Sequence, residues 1–176
     1  EHRGNYSLER ENLWSPLRIK YIQSLNQGSE CFICHNLENP QDDDANLVLW
    51  RTKHCIVILN RFPYNNGHLL IAPNRHIAGL EEANDGELLE MFKLVREGQK
   101  ALSAAIKPQG FNVGLNFGRC GGAGLPGHLH IHIVPRWDGD TNFMSVCGDT
   151  KVISQSLIEL QELLKQTSKE LNLPGL

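Results

Sequence analysis

With 176 residues, 40% of them hydrophobic and 21% charged, the chain has the composition of a globular protein and the length for one domain with a substantial core. A net charge of −3 and a pI near 6.2 exclude the basic stripe that grips duplex nucleic acid. No apolar run approaches the ~20 residues that span a bilayer.

Residues 1–12 are polar and are expected to be loosely held, which leaves 13–176 as a single domain. The start, Glu1-His-Arg-Gly-Asn, lacks the charged-then-apolar layout of a secretion signal. Leu13-Trp14-Ser15-Pro16 opens an apolar stretch that reaches Ile22, and a Gly/Ser/Glu break precedes Cys31. Five cysteines, two of them spaced Cys31-x-x-Cys34, favour metal chemistry in a reducing compartment over a disulfide framework, so a cytoplasmic location is expected. After the acidic loop 39–45, three β-rich stretches at 47–51, 55–59 and 68–73 are separated by turn residues that include Asn65-Asn66-Gly67. Asn84 or Asp85 can then cap a helix in which Leu88, Met91, Phe92, Val95, Gln99 and Leu102 recur at helical spacing. Pro108-Gln-Gly110 ends it. Strands at 111–117 and 128–135 follow, joined by the glycine-rich stretch 118–127, and a last helix over 153–171 turns Leu157, Leu160, Leu163 and Leu164 inward. Strands grouped around two helices predict an α+β domain with an antiparallel sheet.

The chemistry concentrates in His128-Leu-His130-Ile-His132. Side chains on a strand alternate faces and rise about 3.3 Å per residue, so the three imidazoles share one face and the aliphatics occupy the other. This pattern predicts one core face and one wet, functional face. An imidazole with an ordinary pKa near ~6.5 is neutral and nucleophilic at pH 7. Attack on phosphorus by His130 would give a phosphoramidate that a second acceptor cleaves, dividing one displacement into two. The neighbouring Gly121-Gly122-Ala123-Gly124 can bring backbone N–H groups to an anion, and with His132 it can stabilise the equatorial oxygens. Gly122-Ala-Gly124-Leu-Pro-Gly127 also fits G-x-G-x-x-G, but a dinucleotide fingerprint must open a helix and here a strand follows. A rival reading is a catalytic zinc held by His-x-His; it lacks a nearby carboxylate base and leaves the glycine loop without a role.

Taken together these residues resemble the histidine triad (HIT) family. His128-Leu-His130-Ile-His132-Ile-Val resembles its signature, and Asn65-Asn66-Gly67-His68-Leu69-Leu70-Ile71-Ala72-Pro73 resembles its Pro-Gly-His strand with Asn66 in place of proline. Leu13-Trp14-Ser15-Pro16, Asn112-Val113-Gly114-Leu115-Asn116 and the run from Val134-Pro135-Arg136-Trp137-Asp138-Gly139-Asp140 to Phe143 resemble the branch related to diadenosine tetraphosphate phosphorylases. The resemblance implies an α+β HIT-like fold with a five-stranded antiparallel sheet and two main helices, usually joined as a homodimer. It also implies cleavage of dinucleoside polyphosphates through a nucleotidyl-histidine intermediate on His130.

Carried over by residue, the resemblance gives His132 and Asn116 catalytic roles, with Asn116 and the Gly122, Ala123 and Gly124 backbone holding phosphate. It places Asn60 at the ribose, lines the base pocket with Phe32, Ile33 and Ile58, and adds Trp137 to the nucleotide site. Cys31, Cys34, His76 and His128 resemble a zinc set of galactose-1-phosphate uridylyltransferase relatives; two thiolates and two imidazoles make a closed, structural site. Many relatives carry serine at or beside Gly124, so phosphate and water both stand open as acceptor. A dinucleoside polyphosphate or phosphoramidate hydrolase, a uridylyl or sulfate-nucleotide transferase, and a nucleotide sensor with little turnover are the alternatives.

Overall fold

A computed structural model describes residues 31–141, 153 and 155–173. The segment 1–12, Leu13-Trp14-Ser15-Pro16, the Asn142-Phe143 end of the arginine run and Cys147 lie outside the described residues. Cys31 is the N-cap of a short helix, α1 (Phe32–Glu38). Strands β1 (Val48–Arg51), β2 (Cys55–Leu59) and β3 (Leu69–Pro73) follow, then the long helix α2 (Asp85–Ile106), strands β4 (Gly110–Leu115) and β5 (Ile131–Arg136), and helix α3 (Leu157–Glu170). The five strands form one sheet in the order β1-β2-β3-β5-β4, and every neighbouring pair is antiparallel. This is the expected α+β architecture, with α1 added. Seven residues are too few to show a helical period, and α1 is held by packing: Ile33 is completely buried.

Period-2 alternation divides β2 and β3 between two cores. Cys55, Val57, Leu59, Leu69 and Ile71 join Leu129, Ile131 and Ile133 beneath Met91, Leu94, Val95, Ala101 and Leu102 of α2 and Leu160 and Leu164 of α3. On the opposite face Ile56, Ile58, Leu70 and Ala72 meet Ile33, with Phe32 and Leu125 packed alongside. The α2 stripe expected from the sequence is otherwise inward, but Phe92 is 59% exposed and faces out beside Leu89. Helix α3 is tied to the edge strand by polar as well as apolar groups. The buried Gln161 donates to the Val48 carbonyl at 3.0 Å, and the Trp50 indole donates to Ser168 Oγ at 3.1 Å. No helix among the described residues is long and apolar enough to cross a membrane.

The start of α2 is fixed by a reciprocal cap. Asn84 Oδ1 accepts from the Glu87 N–H at 3.0 Å, and Glu87 accepts from the Asn84 N–H at 2.9 Å. The same buried carboxylate takes both Nε and Nη2 of Arg75, at 2.7 Å each, which locks the chain next to His76. The Arg75 hydrogen bond is the main reason the Glu87 carboxyl lies below its ordinary value. Its contribution to stability is therefore complete above the unfolded pKa of about 4.3 and is lost as the pH falls through the lower folded value. Glu87→Gln is expected to lower the urea midpoint at pH 7 and to narrow its deficit as the pH drops below about 4. An equal deficit at both ends of that titration would contradict the assignment.

Candidate active site

The alternation of the histidine run holds in three dimensions: Leu129, Ile131 and Ile133 enter the helix-side core. Strand β5 starts only at Ile131, because the Leu129 N–H leaves the ladder for the Ile77 carbonyl at 2.6 Å. The opposite face is not wet, as alternation had suggested. His128 is 1% exposed and His130 7%, while His132 is half-buried. Burial holds the imidazoles of His128 and His130 below their ordinary pKa, so both are neutral at pH 7.

Backbone groups decide which nitrogen of each ring carries the proton. His130 Nδ1 lies 2.7 Å from the His128 carbonyl. A carbonyl only accepts, so Nδ1 is protonated and Nε2 keeps its lone pair. His128 Nε2 likewise donates to the Pro73 carbonyl at 2.9 Å, which leaves its Nδ1 as the ligand atom.

For His132 the argument runs through His68, a fully buried residue at the start of β3. The Phe62 N–H donates to Asn60 Oδ1 at 3.0 Å, so Asn60 Nδ2 is the atom 3.2 Å from His68 Nδ1. The Tyr64 N–H reaches the same Nδ1 at 3.0 Å. Two donors converge there, so His68 is protonated at Nε2, which donates to His132 Nδ1 at 2.9 Å. His132 in turn carries its proton on Nε2, which lies 3.3 Å from Asn116 Nδ2; two donors cannot face each other, so the hydrogen-bond network assigns the Asn116 amide the reversed orientation, with its oxygen toward His132. The rings of His130 and His132 sit edge to face with centroids 4.8 Å apart. One presents a lone pair and the other a proton.

His68 was missed as a site residue although its signal was present: the strand pattern puts it on the face of Leu70, and Leu70 pairs with His132. Gly67 makes its placement possible, with φ +75° and with Ile106, Leu102 and Pro135 where a Cβ would lie.

The pairing of Leu115 with Ile131 brings Asn116 across from His130, so the expected Asn116, His130 and His132 do come together. Phe32, Ile33 and Ile58 also meet, in the second core. The glycine loop is tighter than expected. Gly122 N–H goes to Arg119 O at 3.0 Å and Ala123 N–H to Gly118 O at 3.1 Å, so two of the three amides drawn toward phosphate are used inside the turn. Asn60 closes its own turn and holds His68, a different task from the ribose contact. Trp137 is not brought to the cluster. It follows the far end of β5, about 16 Å of strand from His132, and its indole donates to the Lys107 carbonyl at 3.2 Å.

Cys31, Cys34, His76 and His128 converge with all four ligand atoms within 4.8 Å of one another. Sγ–Nδ1 separations are 3.2 Å for Cys31–His128, 3.1 Å for Cys34–His76 and 3.6 Å for Cys34–His128. A tetrahedral ion with bonds of about 2.3 Å to sulfur and 2.0 Å to nitrogen requires edges near 3.5 Å, so the set fits a metal. Burial and the adjacent Cys31 push the Cys34 thiol up to about 11, which a cation in the cluster would reverse.

Residues 41–139 match the HIT domain family. A protein of Mycobacterium tuberculosis named AP-4-A phosphorylase is 37% identical over 164 residues, covering 88% of this chain and 82% of that one. An uncharacterised HIT-like protein of Methanocaldococcus jannaschii is 31% identical, over 68% of this chain and 86% of its own. Among solved structures, a hypothetical histidine triad nucleotide-binding protein of Sulfolobus tokodaii superposes with a TM-score of 0.66 at 25% identity, over 81% of this chain and 94% of that one. A Zn-bound histidine triad family protein of Mycobacterium smegmatis gives the same TM-score at 20% identity, over 81% and 96%. With its imidazoles alternating on one strand and this match over more than half its length, the chain belongs to the HIT domain family.

Proposed function

We propose that the protein cleaves dinucleoside polyphosphates of the diadenosine tetraphosphate type by nucleotidyl transfer to His130, with phosphate as the favoured acceptor. The observation that carries this is the bond from His130 Nδ1–H to the His128 carbonyl, which holds a neutral imidazole with its Nε2 lone pair available. Nε2 attacks the α-phosphorus; an N–P bond forms, and the P–O bond to the departing nucleotide breaks with its electron pair. A phosphate oxygen then attacks the same phosphorus and the N–P pair returns to Nε2. Diadenosine tetraphosphate plus phosphate thus becomes ATP and ADP. His132 Nε2–H, shared with the Asn116 oxygen beside it, and the Asn116 NH2 group would hydrogen-bond the transferring oxygens, where charge builds up. The name of the M. tuberculosis relative supports this substrate class.

Zinc is the metal that suits two thiols and two imidazoles in a closed set. Bound there it would supply structural cross-linking alone. The four residues would pin α1 and the His76 segment to the nucleophile strand. The edge strand β4 shows Val113 at 43% exposed, and Phe117 just beyond it is 46% exposed, surfaces that fit a homodimer joined through this edge. Cysteine usage favours a cytoplasmic protein.

Incubation with diadenosine tetraphosphate, with and without phosphate, should give ATP and ADP in the first case only; phosphate-independent AMP and ATP would mean hydrolysis. His130→Gly is expected to reduce turnover about 1,000-fold or more while nucleotide affinity stays within a few-fold. Undiminished turnover would remove His130 from the mechanism. For the metal, elemental analysis should find about one zinc per chain, lost together with thermal stability in Cys34→Ser. Less than about a tenth of an equivalent in protein purified without chelator would rule the site out.

A further inference from the structure

The Arg136–Asp140 turn, singled out by its sequence, has no part in the chemistry described above. It lies at the far end of β5 from the histidines. Asp140 is 8% exposed at its side chain and is bound by Arg136 through Nε at 2.6 Å and Nη2 at 3.0 Å. The Trp137 N–H adds a third bond at 3.2 Å. These bonds hold the Asp140 carboxyl far below the usual carboxylate range. A further bond comes from another loop: Asn65 Nδ2 donates to Asp140 Oδ2 at 2.8 Å and to the Pro135 carbonyl at 2.9 Å.

Asn65 is buried and immediately follows Tyr64, whose N–H is one of the two donors to His68 Nδ1 that leave the ring proton on Nε2. The Asn65 carbonyl also accepts from the His68 N–H at 3.3 Å. The loop is thus tied by its side chain to the turn and by its backbone to both ends of His68. If the Tyr64 N–H drifts from His68 Nδ1, the lone pair there loses one of its two donors and keeps only the Asn60 side chain, 3.2 Å away. His68 can then take the other tautomer, and His132 would turn a lone pair instead of a proton toward the transferring oxygens.

We propose that Asn65 and Asp140 are positioning residues that keep His132 a hydrogen-bond donor, acting through the Tyr64 amide and His68. Only the kinetic arm of the test rests on the proposed function; the tautomer is read without substrate.

The experiment is side-chain 15N NMR of histidine-labelled full-length protein, parent against Asp140→Ala, Asp140→Asn and Asn65→Ala, with steady-state kinetics on diadenosine tetraphosphate. In the parent, His68 and His132 should each show a single Nε2–H tautomer. In Asp140→Ala and Asn65→Ala both should become mixtures, with kcat lower by about tenfold or more and KM within about threefold. Asp140→Asn keeps an acceptor for Asn65 and should return kcat to within about threefold of the parent. Unmixed Nε2–H tautomers in Asp140→Ala overturn the proposal whatever the rates, and so does a loss confined to KM. If Asn65→Ala does not fold, Asp140→Ala decides alone. A parent without turnover would refute the proposed function and leave the tautomer arm to decide this inference.

Discussion

The hydrogen bond between His130 Nδ1 and the carbonyl of the residue two positions earlier is the constraint on which the site depends. It is short in sequence, so its geometry follows directly from the path of the backbone through 128–130. That path is fixed from three sides. The Leu129 side chain enters the helix-side core, its N–H is taken by Ile77, and the His128 ring is anchored on Pro73. Among the described residues the candidate nucleophile is therefore oriented by a backbone carbonyl and not by a carboxylate. Burial supplies the rest by keeping the ring uncharged.

Two identical side chains, His130 and His132, are given opposite roles by two different backbone groups. A carbonyl makes His130 present a lone pair, and an amide at Tyr64, relayed by His68, makes His132 present a proton. Neither assignment requires a charge on the ring, only a choice of which nitrogen carries the proton. The cost is that the His132 role hangs on a loop whose shape must be maintained: Gly67 has to accept a positive φ against α2.

Much of this was legible in the sequence, and for reasons that can be named. The β-rich composition of Cys55-Ile-Val-Ile-Leu59 between turn residues and the alternation of the histidine run gave the strands, and the Asn84 cap with its three-to-four spacing gave α2. The cysteine spacing pointed to metal chemistry, and the family resemblance added His76 and His128 to the cluster that forms. What was hidden depended on tertiary context. Helix α1 exists because Ile33 is buried against the sheet, and it roofs the face that alternation alone marked as solvated. The glycine loop spends its amides on itself, which depends on the turn's hydrogen bonds and not on its composition. Trp137 lies beside the histidines in a motif but about 16 Å from His132 along an extended strand, because proximity in sequence becomes distance once the chain is straight.

His128 divides its labour between two chemically separate parts. Its ring faces the sulfur pair, whereas its peptide oxygen accepts from His130 Nδ1–H. Since any amino acid brings the same oxygen, the candidate metal cluster and the candidate nucleophile draw on one residue without sharing an atom. A descendant of this chain could therefore exchange all four ligands for a well-packed apolar plug and still hand the next histidine its acceptor. In such a scaffold the ligand cluster could be lost in evolution while the hydrogen bond to the next histidine persists.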